Sequence, residues 1–411
     1  MRALLSTIGS RGDVQIILAL ALKLRELGQE ARICAPPDFR ESIESLGISF
    51  VSVGPEARQA AKRSQSASPQ APPSPEQMRQ LMEATVSGQF EAILPAARDC
   101  DVLVAGMSLQ FALHSVAEQI GIPYVYATWC PITLPSPHHA PPPLPWETTH
   151  RTTDNRALWA EQAIRWNEMF GPAINSSRAS IGLPPVTDVQ SHIFTDRPWL
   201  AADPTLGPWP ATAALDVVQT GAWIMPDPRP LSAELEAFLN AGEDLPVYFG
   251  FGSMRASEDL GHAMIKAARA LGRRAIVSRG WADVAPPDDK PDCLSIGEEN
   301  LQALFKRVAV AVHHGGAGTT TIAAQAGVPQ VVVPQIYDQH YWAKRVHELG
   351  IGIAHAPGAP TADSLTEALR HTLQPDVVVR ARSVAASMRS DGAEVAARRL
   401  IDAIQRTADE N

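Results

Sequence analysis

Short apolar runs rich in β-branched residues alternate along this chain with longer stretches whose apolar positions recur at helical spacing. Residues 3–8 predict a strand. Ile16, Ile17, Leu18, Leu20, Leu22, Leu24 and Leu27 predict the helix after it, ended by Gly28 before a strand at 30–34. The alternation continues with helix at 76–98, strand at 101–105, helix at 109–119 and strand at 124–127. In the helical stretch 158–180, Trp159, Trp166, Met169 and Phe170 mark a core-facing side. Short strands at 199–202 and 217–220 close this series. A second series places strands at 246–251, 274–278, 293–296, 308–312, 331–333 and 350–355, with helices between them and one or two more over 377–405. Continuous apolar strands alternating with helices specify doubly wound parallel sheets. Pro204, Gly207, Pro208 and Pro210 put the connection between the two series at about 203–230. The domains expected are 1–215 and 216–390, with a terminal helical segment at 391–411.

A chain of 411 residues suits two such domains, and 45% hydrophobic with 19% charged residues describes a globular protein. A net charge of −9 argues against a broad basic surface for nucleic acid or anionic membrane. No apolar run reaches membrane-spanning length, and the N-terminus runs into a strand without the pattern of a signal peptide. Cys34, Cys100, Cys130 and Cys293 are scattered and lack metal or CxxC spacing, which suits reduced thiols in a cytoplasmic protein.

The most informative stretch is 308–339. Its first strand opens onto His313-His314-Gly315-Gly316-Ala317-Gly318, and Thr319 and Thr320 are suited to cap the helix that follows. A strand, a glycine turn and a helix N-terminus make an anion site, because free N–H groups and the helix dipole both point outward there. A diphosphate is the expected guest, although a βα turn without any ligand would use the same glycines. The turn is neither Walker A nor GxGxxG. Asp338-Gln339 follows the next strand, at the carboxyl end where α/β sheets place ligand contacts, and offers groups suited to sugar hydroxyls. Asp338 would serve equally well as a helix N-cap.

Other residues carry paired readings. Asp13, on the turn 9–13 above the first strand, is either a helix N-cap or a catalytic carboxylate. Ser253 is a helix cap or a phosphate contact. Arg279 could hold a phosphate, and Trp281 could stack on a base or pack. The proline-stiffened loop 130–146, with Trp129 just before it and His138, His139 and Trp146 on it, forms a wall for an apolar acceptor or is an ordinary surface loop. No metal is expected at His138-His139, since no carboxylate or cysteine lies at ligand spacing. The Pro- and Ser-rich stretch 55–75 reads as a mobile loop whose basic pair Lys62-Arg63 is solvated.

Read together, Gly9–Asp13 with Val14, Ala35-Pro36-Pro37, the proline loop at 135–145, Gln219-Thr220-Gly221-Ala222-Trp223, Phe249-Gly250-Phe251-Gly252-Ser253, Ser278–Asp283 and His313–Thr320 resemble the family-1 GT-B glycosyltransferases. Above all they resemble the glycopeptide-antibiotic (vancomycin-group) members. The resemblance implies two Rossmann-like domains facing across a cleft, with acceptor held by the first and donor by the second. It also implies that the last helix packs back on the first. His314, Gly315, Gly316, Ala317, Gly318 and Thr319 would contact the donor diphosphate, and Asp338 and Gln339 its sugar. Ser10, Arg11, Ser253, Arg279 and Trp281 would add donor contacts. Asp13 is implied as the general base of an inverting, metal-independent transfer of glucose from a UDP- or TDP-linked donor to a phenol of a natural-product aglycone. No cofactor beyond this nucleotide sugar is expected, and the enzyme would act as a monomer. Ile322 departs from the pattern where many relatives carry a glutamate for the ribose, and the usual tryptophan is absent from the base-recognition loop near 297–300. Sterol, hopanoid or macrolide acceptors remain open, as do, more distantly, UDP-sugar epimerisation and a donor-binding accessory role.

Overall fold

The computed structural model describes residues 1–59, 74–107, 109–142, 153–210, 215–254, 259–284, 288 and 290–409. Most of the 55–75 loop and all of 143–152, which includes Trp146, lie outside the described residues. The chain forms two compact units. Met1–Ala202, Pro208–Met225 and Ser390–Asn411 make the first, and Asp203–Gly207 with Pro226–Arg389 make the second.

In the first unit, β1 (Arg2–Thr7), β2 (Glu30–Ala35), β3 (Ser49–Ser52), β4 (Val102–Gly106), β5 (Tyr124–Thr128), β6 (Trp199–Leu200) and β7 (Val218–Gln219) form one parallel sheet in the order β3-β2-β1-β4-β5-β6-β7. β1 lies in its middle, with Ala3 opposite Ala31 on one side and Val102 on the other. The helix Arg11–Glu26 presents Ile17, Leu20, Ala21 and Leu24 on one stripe, all fully buried. Burial of each Leu or Ile there contributes roughly 1.5–3 kcal/mol. The terminal helix Gly392–Asp409 packs against this same helix. Trp159, Trp166 and Phe170 of the helix Asn155–Ser180 are buried, as their spacing predicts.

In the second unit, β8 (Val247–Gly250), β9 (Ala275–Ser278), β10 (Cys293–Ile296), β11 (Val310–His313), β12 (Gln330–Val332) and β13 (Gly352–Ala354) form a parallel sheet in the order β10-β9-β8-β11-β12-β13. Alternation decides which core each side chain joins. Val247, Phe249, Val310 and Val312 pack in one layer, while Tyr248 and Ala311 pack in the other. Both faces are therefore apolar, which is why these strands read as unbroken hydrophobic runs.

Strand order reverses between β1 and β4 in one sheet and between β8 and β11 in the other. Loops that leave adjacent strands in opposite directions open a crevice at such a point, the usual ligand position in open α/β sheets. The turns after β1, β8 and β11 are those that carry Asp13, Ser253 and His314. No helix among the described residues is long and apolar enough to cross a membrane.

Candidate functional site

In the second unit, β11 ends at His313, and Gly316 is the N-cap of the helix Ala317–Gln325. The cap thus lies three residues earlier than Thr319. The threonine hydroxyls do not cap it. Thr320 donates back to the Gly316 carbonyl at 2.9 Å and Thr321 to the Ala317 carbonyl at 2.7 Å. This leaves the amides of Ala317, Gly318 and Thr319 without helical acceptors at the positive end of the dipole.

His314 lies against that end. A Cβ on Gly316 would sit 2.7 Å from its Nε2, so only glycine leaves the ring room. Burial lowers the His314 pKa to about 4, with the Gly250 carbonyl opposing the shift, so the ring is neutral near pH 7. Its Nδ1 is buried and has no hydrogen-bond partner among the described residues. A neutral imidazole beside three free amides can donate to an oxyanion without bringing a proton load of its own.

Gly315 is differently engaged. Its φ of 91° lies in the left-handed region, and a Cβ there would fall 2.6 Å from Val332 Cγ1. Its amide donates to His313 Nδ1 at 3.1 Å and is therefore spent inside the turn.

Neighbouring loops close around this turn. The Trp281 amide donates to the Gly252 carbonyl at 2.8 Å, and a Cβ on Gly252 would approach His314 Cε1 to 3.1 Å. Ser253 follows on that loop, half-buried. Among the described residues the next helix is Leu260–Ala270, with Asp259 and not Ser253 at its N-cap position. Trp281 is half-buried and Arg279 exposed. Gln339 is buried, and its Oε1 accepts from the amides of Gln335 at 2.8 Å and Ile336 at 3.1 Å. Its Nε2 faces Met254 Sδ at 3.0 Å. Asp338 occupies the N-cap position of Gln339–Glu348 without capping it, and accepts instead from the Trp342 indole at 3.1 Å. The turns after β8, β9, β11 and β12 thus form one connected rim around His314. After β10, Asn300 caps the helix Leu301–Leu304 and holds the Asp227 and Arg229 carbonyls.

In the first unit, Ser10 and not Asp13 is the N-cap of Arg11–Glu26. Asp13 stands one turn in, and its Oδ2 accepts the Ser10 amide at 2.7 Å and the Ser10 hydroxyl at 3.2 Å. Arg11 is the first helical residue, half-buried. Burial raises the Asp13 pKa above the ordinary carboxyl value, while the Ser10 amide and hydroxyl and then the Trp129 side chain hold it down. Trp129 is itself buried and packs towards Gly106 and Ile17. His138 is exposed. His139 meets Trp159 and Trp209 edge-on, with ring centroids 6.0 and 6.2 Å away, and burial lowers its pKa to about 4. Gly9 of the predicted turn makes room for Asp13, whereas the His313–Gln330 pair has no signal in the local sequence.

Residues 3–136 match the glycosyltransferase family 28 N-terminal domain, and residues 291–400 match the erythromycin biosynthesis protein CIII-like C-terminal domain. The chain is 50% identical over 408 residues to a vancomycin aglycone glucosyltransferase of Amycolatopsis orientalis, covering 99% of this chain and 98% of that one. A dTDP-epi-vancosaminyltransferase of the same organism is 46% identical over 392 residues, covering 93% of each. Among solved structures, the glycosyltransferase VinC in complex with DTDP superposes with a TM-score of 0.70 at 19% identity, covering 100% of both chains.

Proposed function

Because the chain belongs to the vancomycin-group family of GT-B glycosyltransferases, we propose that it moves glucose from a UDP- or TDP-linked donor to a phenolic hydroxyl of a glycopeptide aglycone, inverting the anomeric centre without a metal ion. One observation carries the reading: the amides of Ala317, Gly318 and Thr319 stand free at a helix N-terminus beside a neutral His314. A departing nucleoside diphosphate develops negative charge, and a fixed partial charge of roughly +0.5 at a helix start stabilises it with no reorganisation. Such a terminus does the work that a divalent cation does in other transferases.

In this reading Asp13 takes the proton from the acceptor hydroxyl as its oxygen attacks the anomeric carbon. The C1–O bond to the diphosphate breaks, and the nucleoside diphosphate leaves. A phenol, with a pKa of about 10, gives up its proton more readily than an aliphatic alcohol. The raised pKa of Asp13 makes it a stronger base than an exposed aspartate. Asp338 and Gln339 lie on the rim where the sugar would sit, and Arg279 and Trp281 where the nucleoside would extend. The Trp129 side chain hydrogen-bonds Asp13, and in this reading His138 and His139 would line the acceptor side.

The experiment pairs UDP-glucose and TDP-glucose in turn with vancomycin aglycone and with a sterol, with and without a chelator. The product is read by mass and its anomeric configuration by NMR. Inverted monoglucosylation of the glycopeptide in the presence of chelator is the expected result. Transfer to the sterol alone, retention of configuration, or activity lost to chelator and restored by magnesium would overturn the corresponding part. Both nucleotides belong in the test because a relative at 46% identity is named for a dTDP-linked donor.

A further inference from the structure

His313 has no place in the proposed chemistry, yet it is fully buried at the end of β11 with both ring nitrogens engaged. Nδ1 receives the Gly315 amide at 3.1 Å, and Nε2 lies 2.8 Å from Gln330 Oε1 on the neighbouring strand β12. An amide can only donate, so Nδ1 must be bare and the ring proton must sit on Nε2, donating to Gln330. That arrangement leaves Gln330 Nε2 buried with no partner among the described residues. An amide turned so that its nitrogen is stranded and its oxygen meets the imidazole points to a ring whose tautomer matters.

We propose that His313 is a positioning residue for the diphosphate turn: locked by Gln330 in one tautomer, it pulls the Gly315 amide inward and so fixes where Gly316 and the three free amides stand. The inference rests on the donor-diphosphate reading of that turn. An imidazole with the proton on Nδ1 would set N–H against N–H, and the turn would lose its anchor. Burial lowers the His313 pKa to about 3, so protonation does not disturb the lock near neutrality.

The test measures calorimetric affinity for UDP and TDP in the full chain, alongside thermal midpoints. His313→Leu removes the acceptor. His313→Asn places an amide oxygen where Nδ1 stands. The Leu variant is expected to bind either diphosphate about tenfold more weakly, the scale of one buried donor left unpartnered. The Asn variant is expected to stay within about threefold of wild type, although both lose the Gln330 contact and melt earlier. Leu binding like wild type, or Asn and Leu weakened alike, overturns the positioning role. A wild-type chain that binds neither diphosphate sinks the donor reading and takes this inference with it. Should the Leu variant fail to fold, the 15N spectrum of wild-type His313 decides: the Nε2–H tautomer is expected, and the Nδ1–H tautomer refutes the proposal.

Discussion

Ser10 donates both its amide and its hydroxyl to the same oxygen of Asp13, at 2.7 and 3.2 Å. The helix start thereby aims the carboxylate that the proposed mechanism uses as its base, with Ser10 and not Asp13 in the N-cap position. Burial raises its pKa from the ordinary 3.8. A raised carboxyl pKa means that the folded state penalises the charge. That penalty is absent below the unfolded pKa and grows as pH rises through the folded value. Asp13→Asn keeps an acceptor for Ser10 but removes the charge. It is expected to lose about 10²–10⁴-fold in kcat while its melting temperature rises at neutral pH and converges on wild type in acid. Calorimetry and initial rates on one preparation decide; undiminished turnover would remove Asp13 from the mechanism.

Two glycines each make room for one side chain of the proposed mechanism, and replacing them should separate two kinetic defects. A Cβ on Gly9 would lie 2.3 Å from Asp13 Oδ2, whereas one on Gly316 would lie 2.7 Å from His314 Nε2. Gly9→Ala is expected to lower kcat about tenfold or more, because a general base must stay within hydrogen-bond reach, with diphosphate affinity unchanged. Gly316→Ala is expected to weaken diphosphate binding by a similar factor. Steady-state rates with product-inhibition constants for UDP or TDP distinguish the two patterns, and identical profiles would contradict the division of labour.

The βα alternation is legible in the sequence because parallel strands buried on both faces must be written as continuous apolar runs. The glycine turn is legible because its residues are contiguous. Local capping is less so. Thr319 and Thr320 have the right chemistry for a cap, yet once the helix starts at Ala317 the Thr320 hydroxyl turns back to Gly316, and that of Thr321 to Ala317. Ser10 and Asp13 are both cap-forming types three residues apart, and only the backbone shows which one is the cap. The partner of His313 lies 17 residues away on another strand, so register and not local pattern brings Gln330 to it. β6 and β7, of two residues each, are too short to define ends by periodicity.

Gln339 offers a test that does not depend on the donor. Its Oε1 satisfies the Gln335 and Ile336 amides, so the loop after β12 relies on that oxygen whatever the side chain does for a sugar. Gln339→Leu is expected to cost roughly 1–3 kcal/mol, the desolvation of donors left unpaired. Gln339→Glu, which retains the acceptor, should cost less. Urea titration of the ligand-free chain measures both. A Leu variant as stable as wild type would mean that water replaces the oxygen and the loop is not held by it.

Acid lability follows from histidines buried in neutral form. Burial is the leading cause in each case. It lowers His313 to about 3 and His139, His192 and His314 to about 4, from an ordinary 6.5. Around His192, the nearby His114 and Arg178 deepen the shift and Glu118 opposes it. Between those values and 6.5 the unfolded chain binds protons that the folded chain refuses, so stability is intact above 6.5 and falls as pH drops. Each such group contributes about 1.4 kcal/mol per pH unit well inside the window. Asp13 acts in the opposite sense, and the strongly ion-paired Asp288, held low by Arg269, titrates only in stronger acid. Folding free energies from urea titration are therefore expected to decline steeply from about pH 6.5 to about pH 5, with uptake of more than one proton on unfolding. A flat profile across that interval would mean that these imidazoles reach water, and with it a charged His314 in place of the neutral donor on which the diphosphate site depends.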